Sequence, residues 1–239
     1  MAKFSFSTRV AYGDIDRDLN LTLRGAMTMM QEAAIIHSAQ SGYSIFDEPR
    51  THVIWMLVDW RVRMVGAARW NDPVTVQTWP WTMKKVTSER CFVLYGADGA
   101  PVAMAETNWI LVNTQTGRVC RIGEEVAQAY DLVAEGVFDE PLKLPELGDG
   151  APAGGTTVLR RDIDTNCHVN NLVYLDYAED ALPEDVQGYA FREIGVHYSK
   201  QLRLGDRVRF VYRRGWGCHQ VEIRSEDCGT LHATVTFVE

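Results

Sequence analysis

The stretch "DIDTNCHVNN", running from Asp162 to Asn171, brings together two carboxylates, three side-chain amides, a thiol and an imidazole. Those types suit acid–base chemistry. Asp164 can act as a nucleophile or activate a water, Asn166 can orient the water or the carboxylate without changing charge, and the His168 imidazole can take up and release a proton as a shuttle. Cys167 adds a thiol, but it alternates with Asn166 and His168 and so faces away from whatever they face. A fainter copy, "GDIDRDLNLT", occupies Gly13 to Thr22. There Asp14, Asp16, Asp18 and Asn20 stand where Asp162, Asp164, Asn166 and His168 stand, and Asn20 removes the proton shuttle. Asp and Asn ahead of a helix are good N-caps, which is the expected role of the first copy. The second copy is read as functional because the imidazole and the paired asparagines arrive together.

Each copy leads into a helical pattern. From Thr22 to Ala39, "TLRGAMTMMQEAAIIHSA" sets apolar residues at a spacing of three and four and stops near Gly42. "VNNLVYLDYAEDAL" repeats the pattern with Val169, Val173 and Tyr177. A helix starting near Val169 would leave its first N–H groups open to an oxyanion, so Val169 and Asn170 are expected to bind substrate. Runs rich in β-branched and aromatic residues follow each helix, from "WMLVDWRVRMV" to "RVCRI" and from "IGVHYSKQLRL" to "LHATVTFVE". Asp98-Gly99 and Thr116-Gly117 mark hairpin turns. The expectation is an α+β chain in which each half is one helix followed by an antiparallel meander that curls around it.

The Pro- and Gly-rich stretch from Asp139 to Gly155 reads as a linker, giving halves at 1–138 and 156–239. Asp14 and Asp162 lie 148 positions apart, "NDPVTV" and "GDRVRF" 134, "DGAPVA" and "CGTLHA" 130. Shrinking offsets are what two copies of one fold show when the second has shorter loops.

Composition excludes several classes. A net charge of −8 argues against a nucleic-acid binder, which needs a basic face. Apolar runs such as Val53 to Val58 are too short to span a bilayer, and the start "MAKFSFSTRV" lacks the apolar core of a signal peptide, so a cytoplasmic location is expected. The spacing of Cys91, Cys120, Cys167, Cys218 and Cys228 fits neither a disulfide framework nor a metal site. No metal or cofactor is expected, and no GxSxG nucleophile motif occurs.

A long helix wrapped by an antiparallel sheet and entered through "DIDTNCHVNNLVYLDY" resembles the hot-dog fold, and its doubling in one chain is similar to the acyl-acyl carrier protein thioesterases of bacteria and plant plastids. Asp164, Asn166, His168, Val169, Asn170 and Asn171 meet the family's Asp-x-Asn-x-His-Val-Asn-Asn motif, with Tyr174 following. The resemblance implies a tandem hot-dog that hydrolyses a fatty acyl thioester on the phosphopantetheine arm of an acyl carrier protein. It also implies a degenerate first half that contributes the acyl cavity. Plant members place a catalytic glutamate soon after the tyrosine matching Tyr198, where this chain has Gln201. A glutamine can position water but cannot take its proton; Glu179 and Glu193 are carboxylates of the same half that could substitute, though nothing in the spacing selects them.

Met27, Met29, Met30 and Ile35 on the first helix, with Trp55, Met56 and Leu57 on the next strand, are the expected lining of an acyl slot, since methionine adapts to a flexible chain. Arg160-Arg161 beside the motif is the expected dock for an acidic carrier. An acyl-CoA thioesterase and a catalytically weak acyl-binding protein are the alternatives. A doubled hot-dog already contains the pairing that single copies reach by dimerising, so monomer and homodimer both stay open.

Overall fold

The computed structural model describes residues 3–142, 145–187 and 191–239. Two compact units emerge, Met1–Glu140 and Pro141–Glu239. The first contains β1 (Phe4–Arg9), α1 (Leu23–Gln40), α2 (Glu48–Thr51), β2 (Val53–Met64), β3 (Pro73–Met83), β4 (Thr87–Tyr95), β5 (Pro101–Asn113), β6 (Arg118–Val119) and α3 (Glu124–Ala129). In the second are β7 (Ala151–Thr157), α4 (Asn171–Asp180), β8 (Glu193–Tyr198), β9 (Arg207–Gly215), β10 (Cys218–Ser225) and β11 (Leu231–Val238).

Both units share one topology. Within the first the strand order is β1-β3-β4-β5-β2, with β6 added to β5; within the second it is β7-β9-β10-β11-β8. Every pair is antiparallel. The strand after each helix therefore pairs with the last long strand, not with the next one, which corrects the simple meander. Hydrophobic alternation predicts that strands exist but carries no information on which non-local partner each one takes.

Helix α1 begins where Thr22 Oγ1 accepts the Gly25 N–H at 2.9 Å and ends just before Gly42, whose φ is 74°. Its sheet-facing stripe is Ala26, Met27, Met30, Ala33 and Ala34, all buried. Ile35 falls off that stripe and is 41% exposed, so it cannot join Met27 and Met30 in lining a slot. At Gly25 the helix lies against the turn before it: a Cβ there would lie 2.4 Å from the Asp14 carbonyl oxygen. Only glycine permits that approach, and it holds the first Asp-Ile-Asp loop onto its helix.

The stretch read as a linker carries a strand. Residues 151–155 belong to β7, which pairs with β9 through an irregularity between Pro152 and Gly155. At a sheet edge a proline costs no ladder bond, which is why three prolines and a run of glycines did not prevent it. Strand β8, in turn, stops at Tyr198, so Lys200 to Leu204, expected as strand, form a loop.

Candidate active site

The two Asp-Ile-Asp segments fold the same way, with matching backbone-to-backbone hydrogen bonds. In the second, Asp162 N–H bonds the Leu159 carbonyl, Asp164 N–H the His168 carbonyl at 2.9 Å, and Ile163 bridges to Val169. The first repeats this with Asp14 on Ala11, Asp16 on Asn20 at 2.9 Å, and Ile15 bridged to Leu21. Cys167 and Leu19 occupy the matching left-handed position, with φ of 61° and 66°. Cys167 is exposed at the tip of this turn. The same correspondence continues into the neighbouring loops, where Leu21 N–H bonds the Ala68 carbonyl and Val169 N–H the Leu202 carbonyl, both at 2.9 Å.

The carboxylates differ where the chemistry differs. Asp16 Oδ1 accepts two backbone N–H groups, from Asp18 and Asn20, each at 2.9 Å, and the Asn20 bond leads in holding its pKa below the usual carboxylate value. Asp164 Oδ1 accepts one, from Asn166 at 2.8 Å, and has the His168 ring Nδ1 at 3.7 Å. That separation is too long for a hydrogen bond but short enough to stabilise an imidazolium. His168 Nδ1 also lies 3.3 Å from the Val169 carbonyl oxygen. A carbonyl only accepts, so Nδ1 carries the proton and Nε2 is the ring's basic atom. Asn166 is exposed on the same turn.

Asp162 has a different task. It is 7% exposed, and its Oδ2 accepts the Tyr177 hydroxyl and the Leu159 N–H, both at 2.7 Å. Burial, and then the neighbouring carboxylate, push the Tyr177 phenol well above its ordinary pKa. This bond ties the loop to α4. Tyr177→Phe is expected to cost about 1.5–3 kcal/mol, the net worth of a hydrogen bond to a charged group, measured by urea unfolding.

Corrections fall on the helix start. Val169 is 1% exposed and its N–H is taken by Leu202, and Asn170 N–H bonds the Asp162 carbonyl at 2.8 Å, so neither backbone donor can meet a substrate. The Asn170 side chain caps α4 by accepting the Leu172 N–H at 2.9 Å. These bonds run to residues distant in sequence, which no local pattern reports. The N–H of Asn171, the first residue of α4, is used by none of the described hydrogen bonds.

Gln201 is brought to the motif. The loop holding it is pinned by Leu202, whose N–H bonds the Tyr174 hydroxyl at 2.9 Å and whose carbonyl receives Val169. Burial pushes the Tyr174 phenol up to about 12, so it stays a donor or acceptor and not an anion. Glu179 sits at the far end of α4, exposed, and Glu193 is buried in β8. Met27 and Met30 are fully buried under the first sheet, whereas Trp55 joins another cluster, with its Nε1 donating to the Tyr130 hydroxyl at 3.0 Å. Arg160 and Arg161 are exposed, the latter with Nε 3.8 Å from Asp162.

Residues 1–130 match the acyl-ACP thioesterase N-terminal domain and residues 153–236 the acyl-ACP thioesterase C-terminal domain. The chain belongs to the acyl-ACP thioesterase family. It is 25% identical over 206 residues to oleoyl-acyl carrier protein thioesterase 2, chloroplastic, of Arabidopsis thaliana, covering 78% of this chain and 56% of that one. With dodecanoyl-[acyl-carrier-protein] hydrolase, chloroplastic, of Cinnamomum camphora it shares 26% over 208 residues, 80% of this chain and 54% of that one. The chain thus spans about half the length of the curated relatives it matches. Its fold resembles that of an acyl-ACP thioesterase from Bacteroides thetaiotaomicron, with a TM-score of 0.86, 19% identity and coverage of 98% and 96% of the two chains. The 12:0-ACP thioesterase from Umbellularia californica superposes with a TM-score of 0.84 at 21% identity, covering 98% and 96%. These likenesses establish the doubled hot-dog for this family member. Among its described residues no helix is long and apolar enough to cross a membrane, and no cluster of three or more His, Cys, Asp or Glu is placed to hold a metal.

Proposed function

We propose that this chain hydrolyses the thioester of fatty acyl-acyl carrier protein, releasing a fatty acid and the free thiol of the carrier's phosphopantetheine. The observation that carries this reading is the asymmetry of the repeated loop. One fold is built twice, and only the copy with a less encumbered carboxylate has an imidazole beside it.

Asp164 or His168 Nε2 draws the proton from a water oriented by Asn166 and Gln201, and the water oxygen adds to the thioester carbonyl. The oxyanion that forms is met by the Asn171 N–H at the positive end of α4. As the C–S bond breaks, the group that took the proton returns it to the leaving thiolate; where that group is His168, its imidazolium form is stabilised meanwhile by the Asp164 carboxylate at 3.7 Å. The acyl chain lies along α1, with Met27 and Met30 yielding to it, and Trp55 bounds the same unit. Arg160 and Arg161, exposed next to the motif, meet the acidic surface of the carrier. The five free cysteines fit a reducing compartment such as the cytosol, where the chain would work as a monomer or a homodimer.

Thiol release from acyl carrier protein and CoA thioesters of short to long chains tests the reading. Release faster from the carrier is the expected result; no release from any substrate sinks it. Gln201→Glu is expected to raise kcat by up to about 10²-fold, because it restores a group that can take the water's proton. An unchanged or lower kcat would mean that the amide, not a base, is what this position supplies.

A further inference from the structure

Beside the motif, the C-terminal unit has a cleft of about 430 Å³, within the roughly 300–1,000 Å³ usual for ligand sites. Its walls carry three cations, Lys200, Arg203 and Arg207, against one carboxylate, Asp206. That carboxylate is already engaged: its Oδ2 accepts the Arg203 backbone N–H at 2.8 Å in the turn that starts β9. Arg207 pairs with Glu226 at 3.3 Å. Lys200 and Arg203 have no carboxylate within ion-pair distance among the described residues. In a chain of net charge −8, two uncompensated cations facing one cleft are not a solvated average surface.

The backbone presenting them is fixed from both sides. Ser199 and Lys200 N–H groups bond the His232 carbonyl at 2.8 and 3.1 Å, and Leu202 N–H bonds Tyr174 at 2.9 Å. His232 is 7% exposed and lines the same cleft; its Nδ1 lies 3.1 Å from the Lys200 carbonyl oxygen and so carries the proton, which leaves Nε2 for a ligand. A site held in place before binding loses less entropy when it binds. Gln201 belongs to both the cleft and the loop that braces the motif, so a ligand in the cleft adjoins the reacting centre.

We propose that this cleft binds the phosphate of the substrate's phosphopantetheine arm, with Lys200 and Arg203 as the phosphate contacts and Gln201 marking the end where the thioester lies. The proposal rests on the carrier-thioesterase reading above. The ligand is a phosphate ester, because a guanidinium and an ammonium on a rigid loop match its charge and oxygen geometry. A carboxylate-rich protein surface would cover a broad face rather than enter a cleft of this volume. CoA has the same pantetheine phosphate, so it should enter the cleft as well.

The test is calorimetric titration of 4′-phosphopantetheine and of pantetheine into the full chain and into Lys200→Gln/Arg203→Gln, alongside thiol release. In the parent the phosphate form should bind about tenfold to hundredfold more tightly, the worth of one or two charge-assisted contacts. In the double variant that preference should fall below about threefold, and kcat/KM on octanoyl-phosphopantetheine and octanoyl-CoA should fall by about tenfold more than on octanoyl-pantetheine. Equal binding of the two compounds by the parent, or a preference that survives the double substitution, overturns the proposal. So does a variant that loses octanoyl-carrier protein alone, since the cations would then read the carrier's surface. A parent that prefers phosphopantetheine but hydrolyses nothing keeps the cleft and overturns the hydrolase reading. One that hydrolyses carrier thioesters without any phosphate preference does the reverse.

Discussion

Asp164→Asn is expected to lower kcat by about 10³-fold or more while the protein still unfolds cooperatively at the parent's denaturant midpoint. The substitution keeps the shape and an oxygen able to accept the Asn166 N–H, now made at 2.8 Å, so the turn survives. What goes is the negative charge, and with it both the base or nucleophile and the stabilisation of the imidazolium 3.7 Å away. His168→Ala should cost about as much, because residues that act as one unit do not contribute additively. The protein contains its own control. Asp16 occupies the same place in the first copy of the loop, accepts two backbone N–H groups there, and has no imidazole beside it. Asp16→Asn should leave kcat within about twofold and show in stability alone. Full activity in both Asp164→Asn and His168→Ala would remove the site from this loop.

Why the loop was readable from sequence and its surroundings were not follows from the range of the interactions. Asp164 to His168 build a turn from bonds two to four positions long, so Asp16 and Asp18 at the matching positions predict the same geometry. The helix over Leu23–Gln40 is equally local, with Thr22 at its start and Gly42 at its end. Beyond that range the pattern is silent. That β2 pairs with β5, and β8 with β11, depends on partners tens of residues away. Val169 and Asn170 read as open helix-start donors because their acceptors, Leu202 and Asp162, are not visible in any local window. The basic cleft is hidden for the same reason: Lys200 and Arg203 come together with His232 only through the loop's bonds to β11. Edge strands β1 and β7 escape the sequence pattern because edges tolerate the serines, glycines and prolines that argue against strands elsewhere.

Acidification should destabilise the first unit through a buried pair that the proposed chemistry does not use. Arg90, on β4, is 6% exposed, and its Nη1 lies 2.9 Å from His37 Nδ1 on α1 and 3.2 Å from Thr78 Oγ1. A guanidinium only donates, so His37 Nδ1 accepts and the ring is neutral. Burial first, and the Arg90 charge second, hold the His37 pKa down to about 4, with Asp131 opposing them. In the unfolded chain the same ring titrates near 6.5. Between those values the unfolded chain binds a proton that the native state refuses, so stability is intact above about pH 6.5 and is lost as the pH falls toward 4. The loss should reach about 2 kcal/mol, allowing for the screening of a ring that is partly open to solvent. Arg90→Met separates the causes. It removes the charge that opposes protonation, so the loss between pH 6.5 and 4 should shrink. At pH 7 the variant should be as stable as the parent or more stable by up to about 1–4 kcal/mol, because a desolvated cation with no carboxylate beside it is replaced by an apolar chain of similar length. Urea unfolding of both proteins at pH 7, 6, 5 and 4 reads the two effects together. An acid limb of unchanged depth in Arg90→Met would place the titrating group elsewhere, and a variant several kcal/mol weaker at pH 7 would mean that the bonds to His37 and Thr78 outweigh the cost of burying the charge.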